Sequence, residues 1–123
     1  MEVYRLTRSI FSQNLDGKGS AITGGRWNSV GIEAIYVASS RALAILEVLV
    51  HLPAGMIPDE YKLMVIYIPD PISMEKVNFD DLPNGWHTYP IKIETKLIGD
   101  SFIKKLRCSI TRVLFVTYKK PTL

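Results

Sequence analysis

Residues 34–51 read AIYVASSRALAILEVLVH, and this stretch decides the fold class. Residues 34–38 form a nearly continuous apolar run that is short enough to be a buried strand. Ser39 or Ser40 follows, and either hydroxyl can accept a hydrogen bond from the first turn of a helix. The next segment, residues 41–51, is rich in Ala and Leu and favours a helix. A strand that leads directly into a helix predicts an α+β protein.

The rest of the chain adds strands and one more helix to this unit. Asp100 or Ser101 is predicted to cap a short helix that ends at Lys105, and residues 80–86 are predicted to form a turn-rich surface loop. Strands are expected at residues 3–6, 62–68 and 111–118. Because no repeat or linker interrupts the 123 residues, we expect one compact domain with a mixed or antiparallel sheet and few helices.

A long loop is predicted over residues 14–31, and it contains Gly25, Arg26, Trp27 and Asn28. A loop of this length in a small domain is usually functional or disordered. A guanidinium is suited to binding phosphate, and the indole and the amide add a stacking surface and hydrogen bonds. The glycine pair in this loop matches neither phosphate-binding fingerprint, so a plain turn is the simpler interpretation of it.

Glu47 is the second candidate, because its spacing places it on the apolar face of the predicted helix. The residues that share this face are Leu43, Leu46 and Val50. A carboxylate among apolar side chains must be paired, protonated or open to a cavity. It could also lie at the edge of the face and reach water, or form an ion pair with Arg5 or Arg26. Tyr36 is expected to be an aromatic residue of the core.

Composition excludes several classes of protein. No segment approaches the roughly 20 apolar residues that span a membrane, and the first residues lack the apolar region of a signal peptide. Cys108 is the single cysteine, and His51 and His87 lie far apart, so neither a disulfide nor a metal site is expected. We expect a cytoplasmic protein. Its residues 92–123 hold eight basic and two acidic side chains, a pattern typical of a solvated surface or of phosphate binding.

Several of these segments together resemble the RES domain family, which is named for its Arg, Glu and Ser residues. The Gly-Arg-Trp-Asn loop and the helix with Glu47 carry most of the resemblance. The matching stretches are residues 4–6, 25–28, 35–40, 42–51, 82–86 and 99–102.

The resemblance implies a toxin of a bacterial toxin–antitoxin module, with a fold similar to that of ADP-ribosyltransferases. Such a toxin degrades NAD by cleaving the nicotinamide–ribose bond, through hydrolysis or phosphorolysis. NAD is then the substrate, and no cofactor is implied. The implied partner is an Xre-type antitoxin, through which alone the toxin would meet nucleic acid.

The resemblance also implies roles for individual residues. Arg26 would hold the NAD phosphates or ribose, and Arg5 would line the same cleft. Tyr36 would pack against nicotinamide, and Glu47 would stabilise the ribose as positive charge develops. Residues of the loop that would also contact NAD are Gly25, Trp27 and Asn28.

The chain departs from the family's pattern after about residue 110. The third signature residue, a serine, has no assigned counterpart, and Ser109 belongs to the preceding segment. We therefore expect that the C-terminal part of the family domain is missing or altered, through a frameshift or truncation near Thr111. Such a change could leave the chain inactive.

Three other functions remain open at this point. The chain could transfer ADP-ribose to a protein, as some members of the family do. It could cleave RNA with Arg26, His51 and Glu47, since His51 follows Glu47 by one helical turn. It could also be a non-catalytic module that binds a partner through its basic C-terminal segment.

Overall fold

The chain divides into two units by the clustering of its Cα atoms. Unit 1 comprises Met1–Gly17 and Ile35–Asp70, and unit 2 comprises Lys18–Ala34 and Pro71–Leu123. The structure is a computed structural model that describes residues 1–50, 52–53, 59–69, 73–105 and 112–116. Strands and helices occur in both units, which confirms the α+β class. That the chain forms a single domain stays a prediction.

An antiparallel strand pair forms the sheet of unit 1. Strand β1 (Glu2–Arg8) pairs with β2 (Tyr61–Tyr67), with Tyr4 opposite Val65. Beyond the pair, the N-terminal ammonium of Met1 donates to the Ile68 carbonyl at 2.8 Å, which extends the pairing by one residue. The two strands predicted at residues 3–6 and 62–68 are confirmed.

Helix α2 (Arg41–Leu49) packs on β1 within unit 1. The Ser40 hydroxyl accepts a hydrogen bond from the Leu43 N–H at 3.1 Å, so Ser40 is the cap. The buried residue of the helix is Ala44. The predicted helix is confirmed up to Leu49, whereas His51, its expected last residue, lies outside the described residues.

The predicted strand at residues 34–38 is wrong. Within the described ranges this segment meets a strand through a single bridge, between Ala38 and Tyr4. The two residues exchange backbone hydrogen bonds of 2.9 and 2.7 Å, and Ala38 is buried. Because the run does not continue along β1, Tyr36 keeps 40% of its surface exposed. The expectation of a core aromatic is therefore wrong as well.

Unit 2 begins with a helix that the sequence analysis missed inside the long predicted loop. Helix α1 (Lys18–Thr23) is followed by Gly24, whose φ of 71° ends the helix in the left-handed region. The Gly24 N–H donates to the Ser20 carbonyl at 2.8 Å. The helix was missed because it is short and rich in small residues, without an apolar period.

Helix α3 (Ile93–Lys104) is longer than predicted, and Asp100 lies inside it. Asp100 is therefore not its cap; the preceding residue is Lys92, whose side chain makes no capping bond. Strand β3 (Ser73–Val77), which was not predicted, pairs in parallel with β4 (Arg112–Val116). The strand predicted at residues 111–118 is confirmed over β4, and its two ends lie outside the described residues.

The two units differ in what they bury. Among the described residues, unit 1 buries mainly hydrophobic side chains (Val3, Ala38, Ala44 and Ile68) together with the polar Thr7. In unit 2 three polar residues are buried along with Phe102, namely Asn28, Thr95 and Asp100. Across the described ranges, no helix combines the length and the apolar character that a membrane span requires.

Replacing Ser40 with Ala should lower the free energy of unfolding by about 1 kcal/mol, because the helix cap is lost. Urea denaturation followed by circular dichroism measures this change. Ser39→Ala is the matched control, since the neighbouring serine is exposed and lies outside the helix. Equal destabilisation by both variants would contradict the assignment of the cap.

Candidate active site

The predicted site residues are divided between the two units. Unit 1 contains Arg5 on β1, Tyr36 in the segment before α2, and Glu47 on α2. Unit 2 contains the whole Gly-Arg-Trp-Asn turn, residues 25–28. The structure thus brings the four turn residues together.

The turn is closed by its own backbone and locked by a buried amide. The Gly25 N–H donates to the Asn28 carbonyl at 2.9 Å, directly after Gly24. The Asn28 side chain is fully buried, and its Nδ2 donates to the carbonyls of Ser20 and Ile32 at 3.1 and 2.8 Å. This amide holds the turn against its flanking segments. That Asn28 also contacts a ligand stays a prediction.

Helix α3 supports the turn from one side. Gly99 lies against the backbone of Trp27 so closely that a Cβ at Gly99 would overlap the Trp27 carbonyl. The next residue, Asp100, is buried and accepts two hydrogen bonds from Ser29, one from its N–H at 2.9 Å and one from its hydroxyl at 2.5 Å. The turn is therefore held to the helix through backbone contact and through a carboxylate.

Arg26 reaches from the turn to the loop before α3. Its Nη1 donates to the Trp86 carbonyl at 2.5 Å and to the Thr88 carbonyl at 3.4 Å, and its Nη2 donates to the His87 carbonyl at 3.3 Å. Its guanidinium carbon also lies 5.1 Å from the centre of the Tyr89 ring, within the range of a cation–π interaction. Arg26 thus holds this loop in place.

Aromatic rings surround the Arg26 contacts in unit 2. The rings of Trp27 and Trp86 lie 6.0 Å apart between centroids and are tilted by 44°. The His87 ring meets Trp86 edge-on at 5.6 Å. The indoles are half-buried, whereas His87 and Tyr89 are exposed. The surface-loop prediction for residues 80–86 holds for much of the segment, but Trp86 packs on the turn.

Arg5 lies on the better-buried face of β1. Side chains alternate along a strand, so Arg5 shares its face with Val3 and Thr7, which are 6% and 7% exposed. Arg5 itself is half-buried and lies opposite Met64 of β2. Arg5 is therefore partly covered and partly open to solvent.

Glu47 is exposed, and so is most of the helix face on which it lies. Leu46 and Val50 keep 56% and 66% of their surface, whereas Ala44 keeps only 4%. Helix α2 therefore buries the side that contains Ala44, and the apolar stripe of the sequence analysis is not its core face. Glu47 therefore reaches water, which agrees with one of the alternatives given for it.

Sequence reasoning missed the supporting residues Gly99 and Asp100. The stretch that contains them was read as a helix start, because Asp is a common cap. No local pattern indicates that Asp100 binds Ser29, which lies 71 positions earlier. The length and glycine content of the loop over residues 14–31 were the one feature of the sequence that could have indicated support from a distant segment.

Two expectations of the sequence analysis concern a metal site and the residues His51, Cys108 and Ser109. In the part of the chain that is described, no group of three or more His, Cys, Asp or Glu side chains could hold a metal ion. His51, Cys108 and Ser109 lie outside the described residues, so the proposed RNA-cleaving arrangement of Glu47 with His51 stays a prediction.

Comparison with known proteins extends the resemblance to nearly the whole chain. The model of the RES domain family matches residues 2–115. The chain is 38% identical over 117 residues to the Prs ADP-ribosylating toxin of Sphingobium sp. (strain YBL2), covering 94% of this chain and 73% of that protein. It is 40% identical to Toxin Res of Photorhabdus laumondii subsp. laumondii over 85% of this chain and 67% of the relative. For Toxin Res of Yersinia enterocolitica the identity is 36%, with shares of 85% and 68%.

Replacing Gly99 with Ala should lower the free energy of unfolding by about 1–3 kcal/mol, because the added methyl group forces the Trp27 backbone away from α3. Gly19→Ala in α1 is the matched control. A Cβ there would meet no atom within 4 Å, and Ala favours the helix by about 0.5–1 kcal/mol. The two variants should thus shift the midpoint of urea unfolding in opposite directions, and a shift in the same direction would contradict the packing of the turn on α3.

Proposed function

We propose that this chain, which belongs to the RES domain family, is a toxin that cleaves NAD at the nicotinamide–ribose bond. The observation that carries the proposal is the match of the family model over residues 2–115, together with relatives that are named as toxins. One relative is named an ADP-ribosylating toxin, and transfer of ADP-ribose from NAD breaks this same bond.

The bond to nicotinamide breaks with its electron pair. The pair moves to the ring nitrogen, which neutralises the pyridinium charge, and the anomeric carbon of the ribose becomes cationic. A nucleophile then adds to that carbon: water gives ADP-ribose and a proton, and phosphate gives a phosphorylated ADP-ribose. The transition state resembles that of glycoside cleavage, in which a carboxylate stabilises the developing positive charge. NAD is consumed as a substrate, and the reaction needs no cofactor.

In unit 1 we assign the carboxylate to Glu47. Its side chain is exposed, which makes it accessible to a ligand, as a carboxylate in the core would not be. Tyr36 keeps 40% of its surface exposed, so its ring is available to pack against nicotinamide. Arg5 is half-buried beside Val3 and Thr7, and a cation held in this way suits an anionic substrate.

In unit 2 we assign the turn to binding of the phosphates or the ribose. A guanidinium has five N–H donors, so the three bonds from Arg26 to carbonyls of the neighbouring loop do not exhaust it. Gly25 has no side chain to keep a ligand from the backbone. The Trp27 indole offers a flat apolar surface, and its contact with Trp86 fixes the orientation of that surface.

Transfer of ADP-ribose to a protein is the second candidate. The relative named Prs ADP-ribosylating toxin, which shares 38% identity with this chain, favours it. In this reaction a side chain of the target protein replaces water as the nucleophile and loses its proton. Bond cleavage and the roles of Glu47 and Arg26 stay the same, so the two candidates differ in the acceptor only.

We extend the proposal to the partner that the resemblance implies. A toxin that consumes NAD endangers the cell that makes it, so it requires an antitoxin, here one of the Xre type that blocks access to the site. The toxin would then contact nucleic acid only through that antitoxin. Because NAD is present in the cytoplasm, we propose that the chain acts there.

Glu47→Gln should lower NAD cleavage by on the order of 100-fold, because the amide has the same shape but no negative charge to stabilise the ribosyl cation. The rate of NAD cleavage is measured by using chromatography to quantify the nicotinamide released over time. Glu33→Gln is the matched control, since Glu33 is also exposed. Glu33→Gln should cleave NAD at the wild-type rate, and wild-type turnover by Glu47→Gln would refute the assignment of Glu47.

The fate of ADP-ribose should separate the two candidate reactions. With NAD labelled in its adenine ring, hydrolysis leaves the label in free ADP-ribose, and added phosphate diverts it into a phosphorylated product if the chain is a phosphorylase. Incubation with bacterial lysate leaves the label on protein if the chain is a transferase. We expect free products in buffer alone, and the absence of nicotinamide under all three conditions would reject NAD cleavage.

A further inference from the structure

We propose that Asp100 is a positioning residue, whose buried carboxylate fixes the turn that presents Arg26 and Trp27. The effect on NAD rests on the function proposed above, whereas the effect on the turn does not.

The first observation is the burial and pairing of the carboxylate. Asp100 is 6% exposed, and its two oxygens bind the same residue: Oδ1 accepts from the Ser29 N–H at 2.9 Å and Oδ2 accepts from the Ser29 hydroxyl at 2.5 Å. Hydrogen bonds to an ionised acceptor are stronger than those between neutral groups. Two such bonds to one residue restrain both its position and its orientation.

The second observation is the place of Ser29 in the chain. Ser29 directly follows Asn28, whose carbonyl closes the turn by accepting from Gly25. Holding Ser29 therefore holds the C-terminal end of the turn, while the buried Asn28 amide ties it to Ser20 and Ile32.

The third observation is the rigidity of the support. Asp100 lies in the interior of the 12-residue helix α3, one position after Gly99, which contacts the Trp27 backbone. Four positions before Gly99 on α3, Thr95 is fully buried, and its hydroxyl donates to the Lys92 carbonyl at 3.0 Å. The carboxylate is thus fixed by the helix, and the turn is fixed by the carboxylate.

Asp100→Asn tests the inference with little change in volume. The amide keeps one acceptor for Ser29, but it presents N–H groups where the second carboxylate oxygen was. We expect KM for NAD to rise by about 10-fold, the equivalent of one charge-assisted hydrogen bond, while kcat changes by less than about 3-fold. Glu94→Gln is the matched control, because it makes the same chemical change at an exposed position of α3 and should leave both constants unchanged.

A double-mutant cycle with Ser29→Ala tests whether the two residues act through each other. Ser29→Ala removes the hydroxyl but keeps the N–H. If Asp100 acts through Ser29, the rise in KM from Asp100→Asn should be smaller in the Ser29→Ala background than in the wild type. Equal rises in both backgrounds would overturn the pairing.

Hydrogen exchange gives a readout that does not depend on NAD. In Asp100→Asn the backbone amides of residues 25–29 should exchange faster than in the wild type, and those of β1 and β2 should not. Unchanged exchange of the turn, or faster exchange throughout the chain, would overturn the inference. If the wild type releases no nicotinamide, the proposed function fails, and the exchange of residues 25–29 still decides whether Asp100 positions the turn.

Discussion

The packing of residues 25–29 on α3 is the constraint on which unit 2 depends. The contact requires a residue without a side chain at position 99, since a Cβ there would overlap the Trp27 carbonyl. Around it the buried residues are mainly polar, and every buried side-chain nitrogen or oxygen of the described residues has a hydrogen-bond partner. Polar groups in a medium of low dielectric constant must be paired, and pairing is directional. The turn therefore has a defined shape, where an apolar core would have tolerated several.

Unit 1 is stabilised in a different way. Its two strands are joined along their length by backbone hydrogen bonds, and its buried side chains are mainly apolar. Helix α2 needs little area for its contact with β1, because Ala44 is small and lies at the contact. Glu47 lies about one helical turn after Ala44, near the edge of this contact, and its side chain is exposed. A narrow helix contact of this kind leaves a side chain at its edge accessible to solvent.

Local patterns in the sequence predicted what local forces determine. Strand β1 follows from an alternation of apolar and polar residues, and the start of α2 follows from a serine that caps the first turn. Partners distant in the chain could not be predicted in this way. Asp100 looked like a cap because Asp is common at helix starts, and no nearby residue indicates its true partner, Ser29, which lies 71 positions earlier. Residues 34–38 looked like a strand because they form an apolar run. Such a run does not show whether a neighbouring strand can pair with all of its residues, and within the described residues only Ala38 pairs, with Tyr4.

For the candidate site, too, the local sequence pattern did not predict which side chains are buried. Glu47 was singled out because a carboxylate between leucines is costly to bury, yet the structure exposes that face, so the cost does not arise. Glu47 nevertheless suits the proposed chemistry, because the reaction needs a carboxylate that a ligand can reach. An exposed carboxylate is accessible to a substrate whose positive charge develops during bond cleavage, whereas a carboxylate in the core is not. Glu47 therefore suits this role through its access to a ligand and not through the energetics of the core.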